Sequence, residues 1–240
     1  MMIPYLGEKS KYSNFIVPNI PKNISTYIEP FGGMFGIYFC LDLNNYPNTK
    51  FVYNDINYLN YNLFKYLNDK NFFNTIKNIK ADKDLYQKAK DNLYNCVDEE
   101  KALYWLIILT CSNSQVNILK SEWGSDLEFE ILKIKLNHNN NYFKNIHSIN
   151  NKDYIDIINQ YDSKDSFFYI DPPYYNKESY YINHNFYNNS HIELCDVIKN
   201  IKGKVALSYL YFPKLNEWYD GYNFKYFQTF LGKETLITNY

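Results

Sequence analysis

Asp171, Pro172, Pro173 and Tyr174 follow one another directly after the apolar run Ser166–Ile170. Their types suit the handling of a flat ring that carries an exocyclic amine. Two prolines behind an acidic residue remove two backbone donors and fix φ at both positions. The loop is therefore stiff, and the Pro172 carbonyl is left free to accept. The Asp171 carboxylate and that carbonyl then offer two acceptors to one amine, and Tyr174 adds an aromatic face. The lone pair of such an amine is delocalised into its ring, which makes it a poor nucleophile. Hydrogen bonds from its two N–H groups to Asp171 and Pro172 favour a more tetrahedral nitrogen, and groups aimed at a transition state act most strongly in a dry site. Read alone, the same turn is also a rigid connection with no chemistry in it.

A second set of residues suits a nucleoside cofactor. Pro30-Phe31-Gly32-Gly33-Met34-Phe35-Gly36 lies between an apolar strand and a further apolar stretch. Glycines there let a ligand approach the backbone, and a helix start would favour its carboxylate. The pattern is neither a dinucleotide fingerprint nor a phosphate loop, since no Gly-Lys-Ser/Thr follows. Asp55 ends the next strand, where a carboxylate can accept both hydroxyls of a ribose. Glycine turn, acidic second strand and amine-gripping later strand form a coherent site for attack of an amine on a sulfonium methyl. An amine buried in duplex DNA would have to be flipped out, with Tyr174 as the surface on which the base stacks.

These residues need a scaffold, and the apolar periodicity supplies one. Strands are expected at residues 26–30, 51–53, 166–170, 204–208, 222–227 and 234–239, with helices after Asp55 and around 189–201. Met34 to Leu43 reads as a helix packed on the sheet. The fold class is α/β, a Rossmann-like sheet with helices on both faces. From 69 to 147 the pattern changes to lysines interleaved with apolar residues. It includes an acidic helix start at Asp98-Glu99-Glu100 and the apolar helix Ala102–Thr110, and it ends near Asn139-Asn140-Asn141. This reads as a mostly helical target-recognition insertion between the catalytic segments 1–68 and 148–240.

Composition narrows the classes. The 240 residues carry 25 basic and 26 acidic side chains, a net charge of −1, so overall charge does not advertise a nucleic-acid partner. Every basic residue is a lysine, which leaves any guanine contact without the bidentate arginine fork. Four scattered cysteines and four histidines lack metal-ligand spacing, so no metal and no disulfide framework is expected. No apolar run approaches the roughly 20 residues of a membrane span, and no signal peptide opens the chain. A cytoplasmic protein without membrane contact is the expectation. The oligomeric state is not fixed by the sequence, and a monomer is left open.

Taken in order, these motifs resemble the D12 class of N6-adenine DNA methyltransferases, the Dam-like enzymes. The similarity starts at Tyr5-Leu6-Gly7-Glu8-Lys9-Ser10-Lys11 and continues through Glu29–Phe39 and Tyr53–Asn57. It then takes in Phe168–Tyr175, Val205–Tyr209 and Glu234–Tyr240. The resemblance implies an S-adenosylmethionine-dependent enzyme acting on double-stranded DNA. It implies catalysis by Asp171, Pro172 and Tyr174, and cofactor contacts from Tyr5, Lys9, Phe31, Gly32, Gly33, Asp55 and Asp171. Lys9 would face the methionine carboxylate, and Asp153 the cofactor's adenine. A restriction–modification pair or a phage is the implied setting. Two departures are plain. Glu8 stands where many members have glycine or serine, and Thr110–Asp126 differs from the family's segment before its DNA-reading elements. Recognition of GATC is therefore not carried over, although Gln115, Asn117 and Lys120 are available to DNA. The alternatives are a catalytically idle DNA-binding relative and an enzyme acting on cytosine N4, an RNA base or a protein amide. Aspartate at the head of the tetrapeptide favours adenine.

Overall fold

Parallel strands require long crossovers, so a chain that alternates buried strands with helices must cover its sheet on both sides. The computed structural model, which describes residues 3–138, 143, 145–181, 186–229 and 232–240, shows this arrangement. Seven strands form one sheet: β1 (Thr26–Glu29), β2 (Lys50–Asn54), β3 (Ile146–Asn150), β4 (Ser166–Ile170), β5 (Lys204–Leu210), β6 (Asn223–Thr229) and β7 (Gly232–Thr238). Their order is β3-β2-β1-β4-β5-β7-β6. All neighbours are parallel except β7, which runs antiparallel between β5 and β6. β4 is buried along its whole length, as its unbroken apolar run Phe167–Ile170 requires.

Side-chain alternation sorts the strands between two cores. Tyr27, Phe51, Tyr53, Phe167 and Tyr169 enter one, together with α1 (Ser13–Ile16), α2 (Tyr58–Leu67) and the helices of the 69–147 segment. Ile28, Val52, Phe168, Ile170 and Leu207 enter the other, beneath α7 (Tyr154–Tyr161) and α8 (Asn188–Lys199). Strand order reverses beside β1. In open α/β sheets ligands bind in the crevice at the carboxyl ends of the strands around such a switch.

The 69–147 segment contains α3 (Lys70–Asn78), α4 (Lys83–Asn92), α5 (Asp98–Cys111) and α6 (Leu127–His138); the Asn139–Asn141 boundary lies outside the described residues. Asp69 and Asp82 cap α3 and α4 by accepting backbone N–H groups. α5 starts with its three acidic residues in the first turn and buries every residue from Ala102 to Cys111. It packs on α2, so the segment shares the core of the sheet.

Two elements differ from expectation. No α-helix follows the glycine turn; Met34 to Leu43 forms turns and a 3-10 turn at Tyr38–Cys40. Gly33 and Phe35 both take positive φ, 49° and 54°, which a right-handed helix cannot accommodate. Phe35 accepts this because its ring is fully buried against Tyr27, Tyr38, Tyr53 and Phe64. β3 was not anticipated. Its sequence Ile-His-Ser-Ile-Asn buries only Ile146, so an edge strand shows no apolar alternation to read.

Candidate active site

The crevice is a cavity lined from the N-terminal segment and from the ends of β1, β2 and β4, where open α/β sheets place their ligands. Its wall brings together Tyr5, Lys9, Phe31, Gly32, Gly33, Asp55, Asp153 and Asp171, residues spread over more than 160 positions of sequence. Of the Pro-Pro pair, Pro173 faces the cavity, while Pro172 and Tyr174 are buried behind it.

Asp171 leaves the end of β4 and meets Lys9 from the N-terminal segment, with Oδ2 to Nζ at 3.2 Å. Its other oxygen, Oδ1, is buried and has no hydrogen-bond partner among the described residues. Burial pushes the carboxyl up to about 6, against the pull of Lys9 and with a further push from Glu234. Lys9 is itself buried and also donates to the Gly7 carbonyl at 2.8 Å. It lies 3.9 Å from Glu234 Oε2 and 4.8 Å over the centre of the Tyr174 ring. Tyr174 donates its hydroxyl to Glu234 Oε2 at 2.8 Å and stacks on Tyr209, centroids 5.5 Å apart. The Tyr174 ring is thus 4 % exposed and already in contact, not the open stacking face that its place in the motif suggested. Lys9 likewise sits on the Asp171 carboxylate.

Asp55 is held at the end of β2 by its own neighbourhood. Its Oδ2 accepts the Gly33 N–H at 2.7 Å and the Asn60 side-chain amide at 3.2 Å, and its Oδ1 accepts the Asn57 N–H at 2.7 Å. Burial raises its carboxyl to about 6, tempered by those three bonds. A carboxylate has about four lone-pair sites. Two ribose hydroxyls can therefore be taken together only if one present donor turns away. Gly32 serves packing more than ligand access. A Cβ there would lie 2.5 Å from the Tyr53 ring and 2.8 Å from the Asn54 carbonyl.

Aromatic rings close the far end. Phe31 stacks on Tyr154 with centroids 5.0 Å apart, and Phe186 meets Phe31 edge-on at 5.5 Å. Asp153 caps α7, its Oδ1 accepting the Ile155 N–H at 2.8 Å. It lines the cavity as well, so it is both a helix start and a wall residue.

Sequence reasoning missed several members of this site. Asn60 is fully buried on α2 and donates to both Asp55 and the Tyr5 hydroxyl (3.0 Å), while accepting the Trp105 indole N–H of α5 at 2.9 Å. A polar residue on the inward face of an apolar helix was the available signal. Glu29 lines the cavity from β1, with Oε1 accepting the Tyr27 hydroxyl at 2.7 Å and the Tyr38 N–H at 3.1 Å; burial pushes it to about 8. Glu234 and Tyr154 were passed over beside residues that were named. Of the DNA candidates, Gln115 is committed to the Leu109 carbonyl at 2.9 Å. Asn117 takes a left-handed turn at φ 51°. Among the described residues no group of three or more His, Cys, Asp or Glu could hold a metal, and no helix is long and apolar enough to cross a membrane.

No curated protein matches the chain significantly. Residues 5–231 match the family of D12 class N6 adenine-specific DNA methyltransferases. That span contains every strand from β1 to β6, the cavity and the Asp-Pro-Pro-Tyr loop. The chain belongs to this family, and its activity is S-adenosylmethionine-dependent methylation of adenine N6 in DNA.

Proposed function

We propose that the cavity holds S-adenosylmethionine against Tyr5, Phe31, Gly32, Gly33, Asp55 and Asp153, and that Asp171 with the Pro172 carbonyl receives the adenine amine. The observation that carries this reading is the Asp171 Oδ1 atom, a buried acceptor at the cavity wall with no partner among the described residues. Buried polar atoms are rarely left in that state without a functional reason. An N–H donor from the substrate satisfies it. The cofactor supplies an electrophilic methyl group on a cationic sulfur. Lys9 keeps Asp171 ionised and therefore able to accept, and Asp171 can take the proton that the amine sheds. Among the described residues Lys9 is the cation that pairs with Asp171, and a cofactor carboxylate would compete for it. Moving Lys9 off the Tyr174 ring would open that ring to a base.

The substrate on this reading is double-stranded DNA, with the adenine flipped out of the helix. The helical segment 69–147 is the proposed target-recognition region, and the bacterial or virus-infected cytoplasm is the proposed place of work. Tritiated cofactor, DNA of varied sequence and identification of the modified nucleoside test the assignment. Label in N6-methyladenine is expected; label confined to N4-methylcytosine or to RNA would overturn it.

Two further outcomes follow from the geometry. Because Asp171 must be ionised and its carboxyl stands near 6, kcat/KM should fall as pH drops through about 6. A profile flat down to about pH 4.5 would remove Asp171 from the role, since an unperturbed aspartate titrates near 4. Asp55→Asn should weaken cofactor binding by about tenfold or more, the cost of one charge-assisted hydrogen bond. DNA affinity should stay as it is. Calorimetric titration with the cofactor checks the first, and an unchanged Kd would count against Asp55.

A further inference from the structure

Glu234 is 1 % exposed and lies outside the cavity wall, yet it touches both partners of the acceptor loop. Its Oε2 accepts the Tyr174 hydroxyl at 2.8 Å and stands 3.9 Å from the Lys9 ammonium. It reaches that position from β7, the strand inserted antiparallel beside β5. Lys9 thus lies between the partly buried carboxylate of Asp171, at 3.2 Å, and the buried one of Glu234, at 3.9 Å. A buried acid without its own cation is costly, so its presence two contacts from the reacting atoms calls for a reason.

We propose that Glu234 is a positioning residue for methyl transfer, anchoring Tyr174 through its phenol and sharing the Lys9 ammonium with Asp171. The inference rests on the assignment of Asp171 as the acceptor of the amine. The anchor fixes the plane of a ring that follows the two prolines, so the loop cannot shift without breaking a buried bond. Sharing the cation sets how firmly Lys9 holds Asp171. With Glu234 charged, Lys9 is only partly committed, and Asp171 keeps a basic carboxylate suited to a proton shed near neutral pH. The groups facing Asp171 are Lys9 from the N-terminal segment, Glu29 from β1, Glu234 from β7, and the Tyr169, Tyr174 and Tyr181 hydroxyls; burial and this like charge act in the same direction on its carboxyl.

Glu234→Gln and Glu234→Leu separate the two actions. Glutamine keeps an oxygen for the Tyr174 hydroxyl but removes the charge. Its single-turnover rate at about pH 8 should stay within about threefold of wild type, while the acid limb moves down by about half a unit or more as the like charge disappears. Leucine removes the anchor, and the rate should fall about tenfold or more at every pH, with the cofactor Kd unchanged. Tyr174→Phe should lose a comparable factor, and combining it with Glu234→Leu should add little, because both delete the same bond. A merely structural glutamate would leave the acid limb of the isosteric Gln variant in place, and superimposable profiles would overturn the proposal. Wild-type rates in Glu234→Leu would do the same. The two failures can be told apart. If the wild-type protein puts no methyl on adenine, the site assignment itself falls; if it does and only the Glu234 variants behave as wild type, this inference alone falls.

Discussion

Asp171→Asn should lower the rate of methyl transfer by about a thousandfold, the upper range for losing one aimed acceptor in a dry site. The isosteric amide presents an N–H2 group either to Lys9 or to the incoming amine, and each placement sets donor against donor. The fold should survive the change. Lys9 keeps the Gly7 carbonyl at 2.8 Å and Glu234 at 3.9 Å, and the substitution removes a buried carboxylate whose raised pKa marks its ionised form as disfavoured. Single-turnover measurements with labelled cofactor check the rate, and calorimetry checks that cofactor binding persists. A rate within about tenfold of wild type, a loss of only about 1.4 kcal/mol in the barrier, would show that the amine is held by something else.

Lys9→Met is expected to have the largest effect on stability, and that effect depends on pH. The substitution leaves the buried Glu234 and the partly buried Asp171 with no ammonium between them. Removing one partner of a buried pair costs about 3–5 kcal/mol. For a chain of this size that corresponds to about 6–20 °C in Tm. The sign with pH follows from linkage. In wild type the folded Asp171 carboxyl already stands near 6, above its ordinary value, and loss of Lys9 raises it further. An acid with a raised folded pKa destabilises the fold when ionised, so the penalty is full above that pKa and fades as pH falls below it. Thermal melts should show the Tm deficit at about pH 8 shrinking by about half or more at about pH 5.5. The acid limb of activity should move in the alkaline direction. A deficit of equal size at both pH values would mean that Lys9 acts by packing, not charge.

Much of this architecture was legible because parallel strands announce themselves. Ser-Phe-Phe-Tyr-Ile and Lys-Val-Ala-Leu-Ser are apolar runs that only a sheet covered on both sides can bury, and both proved to be central strands. The tail strands β6 and β7 were legible from their aromatic, β-branched and apolar residues. β3 was not, since an edge strand that buries one residue in five carries no periodic signal. The stretch after the glycine turn misled for the opposite reason. It is apolar enough for a helix, but Phe35, Tyr38 and Phe39 pack their rings on one another and on Phe51, and two positive-φ positions break the helical path.

The site was legible where a residue's type made its chemistry plain and hidden where its role came from its neighbours. Asp171 stands out as a charge beside proline, Asp55 as a charge just after an apolar strand, and Lys9 as a charge two residues after Gly7. Asn60 does not, because nothing in the sequence joins it to Trp105 and Tyr5. The partner of Lys9 was also beyond reach of sequence alone. Its ammonium was expected to face a cofactor carboxylate, and the fold sets it against Asp171, a contact that depends on how the N-terminal segment crosses the ends of the strands.

The insertion of β7 between β5 and β6 has a consequence for how the enzyme comes into being. Lys9 precedes the whole sheet, whereas Glu234 sits on the strand that follows all the others in sequence. Contacts between such distant positions form late, after the loop-closure entropy of nearly the whole chain has been met. A growing chain on the ribosome can therefore build β1 to β5 and much of both cores while Tyr174 still lacks its anchor. The acceptor loop gains its anchor only when β7 is in place, so a chain folded as far as β5 still lacks it.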